Sequence, residues 1–177
     1  MGDSLVTVVA IFLAAILMFV FPLVSMSDRT DDVSQVAVQT TTEDFVDKVR
    51  TTGKLSQEEF DKYVSTLAAT GNSFDIDIEV QVLDENPGVK TTQTDMTKIG
   101  ENLYYSYYTS QVEEKLSKDG VWTLKEGDRI NVTAKNTNQT ISQTLKNFFY
   151  QLSGNNTYQI AAQSGGIVTV KGTLSTK

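Results

Sequence analysis

The chain opens on an apolar run from Leu5 to Phe21 that extends to Val24 across Pro22 and contains no charged residue. Its most polar members are Thr7 and the flanking Ser4 and Ser25. A bilayer core is about 30 Å thick, and a helix needs roughly 20 apolar residues to cross it. Residues 1–26 are therefore expected to form a transmembrane or filament-core helix. Its contacts with lipid, or with copies of itself, would be made by Leu5, Val6, Val9, Ile11, Phe12, Leu13, Ile16, Leu17, Phe19, Val20 and Phe21. From Asp28 to Gln39 the chain turns polar, with Val33, Val36 and Ala37 at helical spacing, so 27–40 reads as a juxtamembrane stalk or a linker. Gln39-Thr40-Thr41-Thr42 breaks helical preference and supplies capping hydroxyls.

A short helix is expected over Glu43–Arg50, with Phe45, Val46 and Val49 on one face and Gly53 ending it. Its acidic start and basic end match the helix dipole. Ser56-Gln57-Glu58-Glu59 has the form of a capping box, with Ser56 at the N-cap and Glu59 reaching back. Phe60, Tyr63, Val64 and Leu67 follow at helical spacing until Gly71, so the two helices form a hairpin. Phe74 to Val82 alternates apolar and polar, which predicts a strand with one buried and one wet face. Asp84–Gly88 reads as a turn, and Val89–Lys98 as irregular chain or an edge strand.

The aromatic segment 102–108 suits a strand by composition. However, Leu103, Tyr104, Tyr108, Val112 and Leu116 recur at helical spacing, which predicts a helix over Glu101–Lys118. Val121–Leu124 and Arg129–Lys135, separated by the turn Lys125–Asp128, read as a hairpin. Thr140 is placed to cap a helix over Ile141–Leu152 with Ile141, Leu145, Phe148, Phe149 and Leu152 inward. Strands over 157–161 and 166–172 would turn at Ser164-Gly165-Gly166. The expected fold is α+β: an N-terminal transmembrane helix, then an extracytoplasmic domain over 41–177 in which short helices cover an antiparallel sheet.

Composition removes whole classes of chemistry. The chain has no His and no Cys. Thiolate nucleophiles, disulfides and imidazole-ligated metals are excluded, as is any mechanism with a His general base. The formal net charge of −7, with no basic cluster, argues against nucleic acid as a partner. Asp75, Asp77 and Glu79 line the wet face of the predicted strand, but carboxylates one strand step apart form a row and not a cage or a cleft. The expectation is no catalytic residue, no metal and no cofactor. Asn131, Asn138 and Asn155 each begin an Asn-x-Thr tripeptide, the acceptor pattern for N-glycosylation.

The N-terminus admits three readings: a cleaved signal peptide, an uncleaved single-pass anchor, or a pilin-type helix. The Met1-Gly2-Asp3-Ser4 start has no positive charge, which disfavours the first. Arg29 among Asp28, Asp31 and Asp32 is a feeble cytoplasmic retention signal, so the domain is placed outside the membrane.

The charge-free helix carries part of a family likeness. The rest is in Gly127-Asp128-Arg129-Ile130-Asn131-Val132, Asn136-Thr137, Gln143-Thr144-Leu145 and Ile160 to Val168. Together these resemble small membrane-anchored, pilin-like proteins of the tight-adherence (Tad) or type IV-like pilus systems of Gram-positive bacteria. The chain departs from the usual prepilin start: two uncharged residues precede the helix, and Thr7 stands fifth after Gly2 where a Glu is usual. The resemblance implies a structural subunit or minor assembly component of a surface filament. Its partners would be the lipid bilayer, copies of itself, and other pilus or secretion components. The alternative is a tethered binding, adhesion or conjugation accessory module. Tyr104, Tyr105, Tyr107 and Tyr108 would then form the partner surface, unless their rings serve as the buried side of a helix.

Overall fold

The computed structural model describes residues 2–84, 104–140, 143–144, 147 and 159–173. They divide into two compact units, 1–36 with 138–160 and 37–137 with 161–177. Helix α1 spans Gly2–Thr52. It passes through Pro22, whose missing N–H leaves one carbonyl of the preceding turn without its usual donor.

The expected break at Gln39–Thr42 is absent, and Glu43–Arg50 is the last part of α1 rather than a separate helix. Residues 27–40 are helical throughout. The cause is at Thr42. Its hydroxyl donates to the Val38 carbonyl at 2.7 Å and meets the Tyr63 hydroxyl at 3.0 Å. A threonine whose hydroxyl bonds the i−4 carbonyl is tolerated inside a helix, and burial against Tyr63 holds this one there. Buried positions recur along α1 at Asp31, Ser34, Val38, Thr42, Phe45 and Val49, three or four residues apart throughout.

Within the second unit, Gly53 ends α1 with φ of +64°. A methyl group there would also overlap the Val170 carbonyl and the Gly172 amide, so both conformation and space require glycine. Strand β1, Lys54–Ser56, then leads into helix α2, Gln57–Ala68. Ser56 caps α2 by accepting from the Glu59 amide at 3.3 Å. The other half of the expected box is replaced by a tertiary contact: the Glu59 carboxylate pairs with Lys48 Nζ at 2.9 Å. Phe60, Tyr63 and Leu67 are buried, and Val64 is partly exposed.

Strand β2 spans Phe74–Leu83 as the alternation predicts. The aromatic segment is not helical. Tyr104–Tyr108 forms strand β3, and helix α3 begins only at Thr109 and runs to Asp119. Residues 104–108 pair antiparallel with Glu79–Leu83, and cross-strand partners of this kind favour aromatic residues over any helix the spacing permits.

Strand β4, Val121–Thr123, pairs with β1 and not with strand β5, Arg129–Asn136. The expected hairpin is thereby overturned. The connecting residues are engaged elsewhere: the Leu124 amide donates to Gly53 O at 2.8 Å, and its carbonyl accepts from Gly172 N at 2.9 Å. Instead β5 lies between β2 and strand β6, Ala161–Ile167, giving the antiparallel order β3-β2-β5-β6.

Ser164-Gly165-Gly166 is no turn, because all three residues sit in β6. A side chain at Gly165 would overlap Asn131 Oδ1, and one at Gly166 would come within 2.5 Å of Arg50 Nε. The glycines let Asn131 and Arg50 lie against the strand.

One face of the sheet carries Ile78, Val80, Ile130, Val132, Ala134 and Ala162, all buried. These join Val46 and Val49 of α1, Phe60 and Leu67 of α2, and Val112 and Leu116 of α3 in the buried apolar set. Phe45 stacks on Tyr63 with centroids 4.6 Å apart, and Trp122 meets Tyr107 edge-on at 5.1 Å.

In the first unit Thr140 caps as expected. The Gln143 amide donates to its hydroxyl at 3.1 Å, and Gln143 Oε1 accepts from the Thr140 amide at 3.3 Å. Of the expected helix 141–152, the described Gln143, Thr144 and Asn147 are helical, and the remainder lies outside the described residues. So do the expected turn after Asp84, the segment 89–98 and residues 157–158.

Asp128 holds the strand ends. Its buried carboxylate accepts from the Leu83 amide at 2.8 Å and the Lys125 amide at 2.7 Å. Asp128→Ala strands two amides and is expected to lower stability by about 2 kcal/mol in urea or thermal unfolding. An unchanged midpoint would show that water replaces the carboxylate.

Candidate functional site

Two surfaces stand out, and each is assembled by a different unit. The first is the start of α1. Leu5, Val6, Val9, Ile11, Phe12, Leu13, Ile16, Leu17, Phe19, Val20 and Phe21 are all exposed, Phe12 at 69% and Phe21 at 74%. No Asp, Glu, Lys or Arg lies between Asp3 and Asp28. Among the described residues this is the one helix long and apolar enough to cross a membrane. Apolar side chains in water cost about 25 cal/mol per Å² relative to burial, so a run of this length in water opposes solubility.

Beyond that run the polarity of α1 reverses. Asp31 is 1% exposed, and Ser34 is also buried. Thr140 Oγ1 donates to Asp31 Oδ2 at 2.9 Å, while Asp31 Oδ1 and Gln143 Nε2 are buried without a hydrogen-bond partner. The cap of the 140–147 turn is thus also the partner of a carboxylate on α1. No spacing rule marks Asp31 for burial, because its partner lies more than a hundred residues away in sequence.

The second surface is the face of the four-stranded sheet opposite the core. Alternation puts Asp75, Asp77, Glu79, Gln81, Tyr104, Ser106, Tyr108, Arg129, Asn131, Thr133 and Lys135 on this side. The four tyrosines are divided by the strand. Tyr104 and Tyr108 lie on the open face, with the Arg129 guanidinium 4.3 Å from the Tyr104 centroid. Tyr105 and Tyr107 lie on the core side. Tyr107 is half-buried against Trp122, and Lys115 Nζ sits 4.1 Å from the Trp122 centroid. Tyr105 and Tyr108 remain 47% and 62% exposed, so the open face and the sheet's edge each present a ring to solvent.

Glu79 is the centre of the open face. It is the register partner of Tyr108 on one side and Asn131 on the other. Its Oε1 accepts from Gln81 Nε2 at 2.9 Å and Ser106 Oγ at 2.8 Å, and Oε2 accepts from Asn131 Nδ2 at 3.5 Å. The Gln81 and Ser106 hydrogen bonds hold its carboxyl below the usual Glu range. Asp75 and Asp77 are exposed, and among the described residues no three acidic groups converge as metal ligands would. Asn131 sits in β5 with its amide engaged by Glu79, and Asn138 is exposed; Asn155 lies outside the described residues.

A cleft of about 240 Å³ opens between the last part of α1 and α2. The stacked Phe45 and Tyr63 form its floor, and the Lys48–Glu59 ion pair spans it. Burial pushes the Tyr63 hydroxyl up in pKa, with its hydrogen bond to Thr42 opposing that shift.

Two outcomes follow from the sheet geometry. Tyr107→Ala removes a ring from Trp122 and is expected to cost about 2 kcal/mol or more, whereas exposed Tyr108→Ala should stay within about 0.5 kcal/mol, both by thermal unfolding. Glu79 has a folded pKa below its unfolded one, so the stability it contributes is full above the unfolded value and is lost as pH falls through the folded value. Unfolding midpoints followed from neutral to acid pH should therefore fall less in Glu79→Gln than in the parent, and parallel curves would refute the assignment.

Compared with protein-family models, with curated proteins and with solved structures, the chain gives no match.

Proposed function

We propose that the chain is a non-enzymatic, membrane-anchored, pilin-like subunit or minor assembly component of a bacterial surface filament. The observation that carries this reading is the exposed apolar face of α1 from Leu5 to Phe21, continuous over the length a bilayer needs. In the membrane this helix contacts lipid. In a filament the same residues contact copies of themselves, because lipid tails and apolar side chains are interchangeable surroundings for such a helix. The folded domain is placed on the extracytoplasmic side. Its polar sheet face and acidic net charge suit an aqueous exterior.

A second reading is favoured by one observation, the exposed Tyr108 beside the Glu79 network on the open face of the sheet. In that reading the domain is a tethered binding or adhesion module, and that ring meets the partner.

Shearing intact cells separates the two. Recovery of the chain in high-molecular-weight fibres by negative-stain microscopy is the expected result. Retention in the membrane, with the domain released by added protease, would replace the filament with a tether. Leu13→Arg is expected to cost about 3 kcal/mol of membrane insertion and to move the chain out of the membrane fraction. Unchanged fractionation would remove the anchor from both readings.

A further inference from the structure

The open face of the four-stranded sheet is not a uniform polar surface. At one level across the strands, the register sets Tyr108, Glu79, Asn131 and Gly165 in a row. Tyr108 stands at one end and is 62% exposed. Gly165 lies at the other end, where a side chain would overlap Asn131 Oδ1. The row is therefore a shelf with an aromatic ring at one edge and no side chain at the other. Tyr104 is on the same face, four strand steps of about 3.3 Å away, so its Cα stands about 13 Å from that of Tyr108. The Arg129 guanidinium packs on the Tyr104 ring at 4.3 Å.

Between the rings the polar groups are already held in place. Glu79 Oε1 accepts from Gln81 Nε2 and Ser106 Oγ, whereas Oε2 has Asn131 Nδ2 alone, at 3.5 Å. A carboxylate offers about four lone-pair sites, so Oε2 keeps acceptor capacity. A fixed acceptor beside an exposed ring suits a pyranose. The hydroxyls of the sugar donate to the carboxylate, and its apolar C–H face lies on the negative face of the ring. Other occupants fit this face worse. A protein interface has an apolar centre, and here the centre is a carboxylate among amides and a hydroxyl. A polyanion would meet the carboxylates of Asp75, Asp77 and Glu79, which outnumber the cations Arg129 and Lys135 on the same side. A sheet face is also extended and shallow, which matches a ribbon-like chain better than a single small molecule.

We propose that this face binds a neutral, β-linked glycan, with Tyr108 stacking on a pyranose ring and Glu79 accepting from its hydroxyls. The inference rests on the second reading above, that the domain is a binding module. It does not depend on whether α1 ends in lipid or in a filament.

The test uses the full chain in phosphatidylcholine vesicles, titrated calorimetrically with cellohexaose and with chitohexaose, both neutral and β-linked. Binding of at least one is expected. Tyr108→Ala is expected to weaken it about tenfold and Tyr108→Phe to retain it, since the ring and not the hydroxyl stacks. Glu79→Gln should also weaken it about tenfold. Tyr105→Ala, on the core side of the same strand, should leave it unchanged. An oligogalacturonate of equal length should bind more weakly than the neutral chains. No binding of either neutral hexasaccharide would overturn the inference. So would an affinity indifferent to Tyr108→Ala, or an oligogalacturonate that binds best. Attachment of intact cells to a protein-coated surface separates this inference from the reading beneath it. With no hexasaccharide binding, loss of attachment in Tyr108→Ala overturns the glycan and leaves the binding module, whereas unchanged attachment overturns both.

Discussion

Backbone hydrogen bonding without water is the constraint that a helix long and apolar enough to cross a membrane must meet, and the start of α1 is such a helix. An apolar run of about 20 residues in hydrocarbon has no solvent to satisfy its amides and carbonyls, and a helix satisfies them within the segment. Once started, the helix does not stop where the apolar residues do. It continues from Gly2 to Thr52, through three consecutive threonines, because Thr42 returns its hydroxyl to the Val38 carbonyl and shares it with Tyr63. The same residue that keeps the helix intact ties it to α2 across the Phe45–Tyr63 stack.

The second unit is organised by β2, whose strict alternation divides the sheet into two unlike faces. Its core face is aliphatic and meets the helices. Its open face is a layer of side-chain hydrogen bonds centred on Glu79, with Tyr108 and Asn131 at its flanks. Asp128 and the Gly53 corner then pin the strand ends where the backbone would otherwise be unpaired. The chain holds no imidazole and no thiol.

Periodicity revealed the elements whose contacts are local or whose faces differ sharply. Residues 57–68 and 74–83 were legible because a serine cap and a fault-free alternation act within one segment. The tyrosine segment was ambiguous by pattern: its rings fit both a 3.6-residue and a two-residue period, and only pairing with Glu79–Leu83 decides between them. Gly165 and Gly166 read as a turn because glycine usually marks one. Here they remove side chains so that Asn131 and Arg50 can approach the strand from opposite sides. The pairing of β4 with β1 was invisible for the same reason that Asp31 was. Both depend on partners distant in sequence.

The stretch from Asp28 to Val38 shows why a polar segment can be misjudged as a linker. Pattern rules assume that water lies outside and an apolar core inside. Here Asp31 and Ser34 face inward, with Thr140 supplying a hydrogen bond to the carboxylate, and Val33 and Val36 face outward. Counting apolar residues on the inward face therefore finds few, although the helix is continuous. Buried Asp31 Oδ1 and Gln143 Nε2 each lack a partner, and an unsatisfied buried group costs about 1–3 kcal/mol. Helix α1 thus carries polar groups where burial is costly and valines where water is.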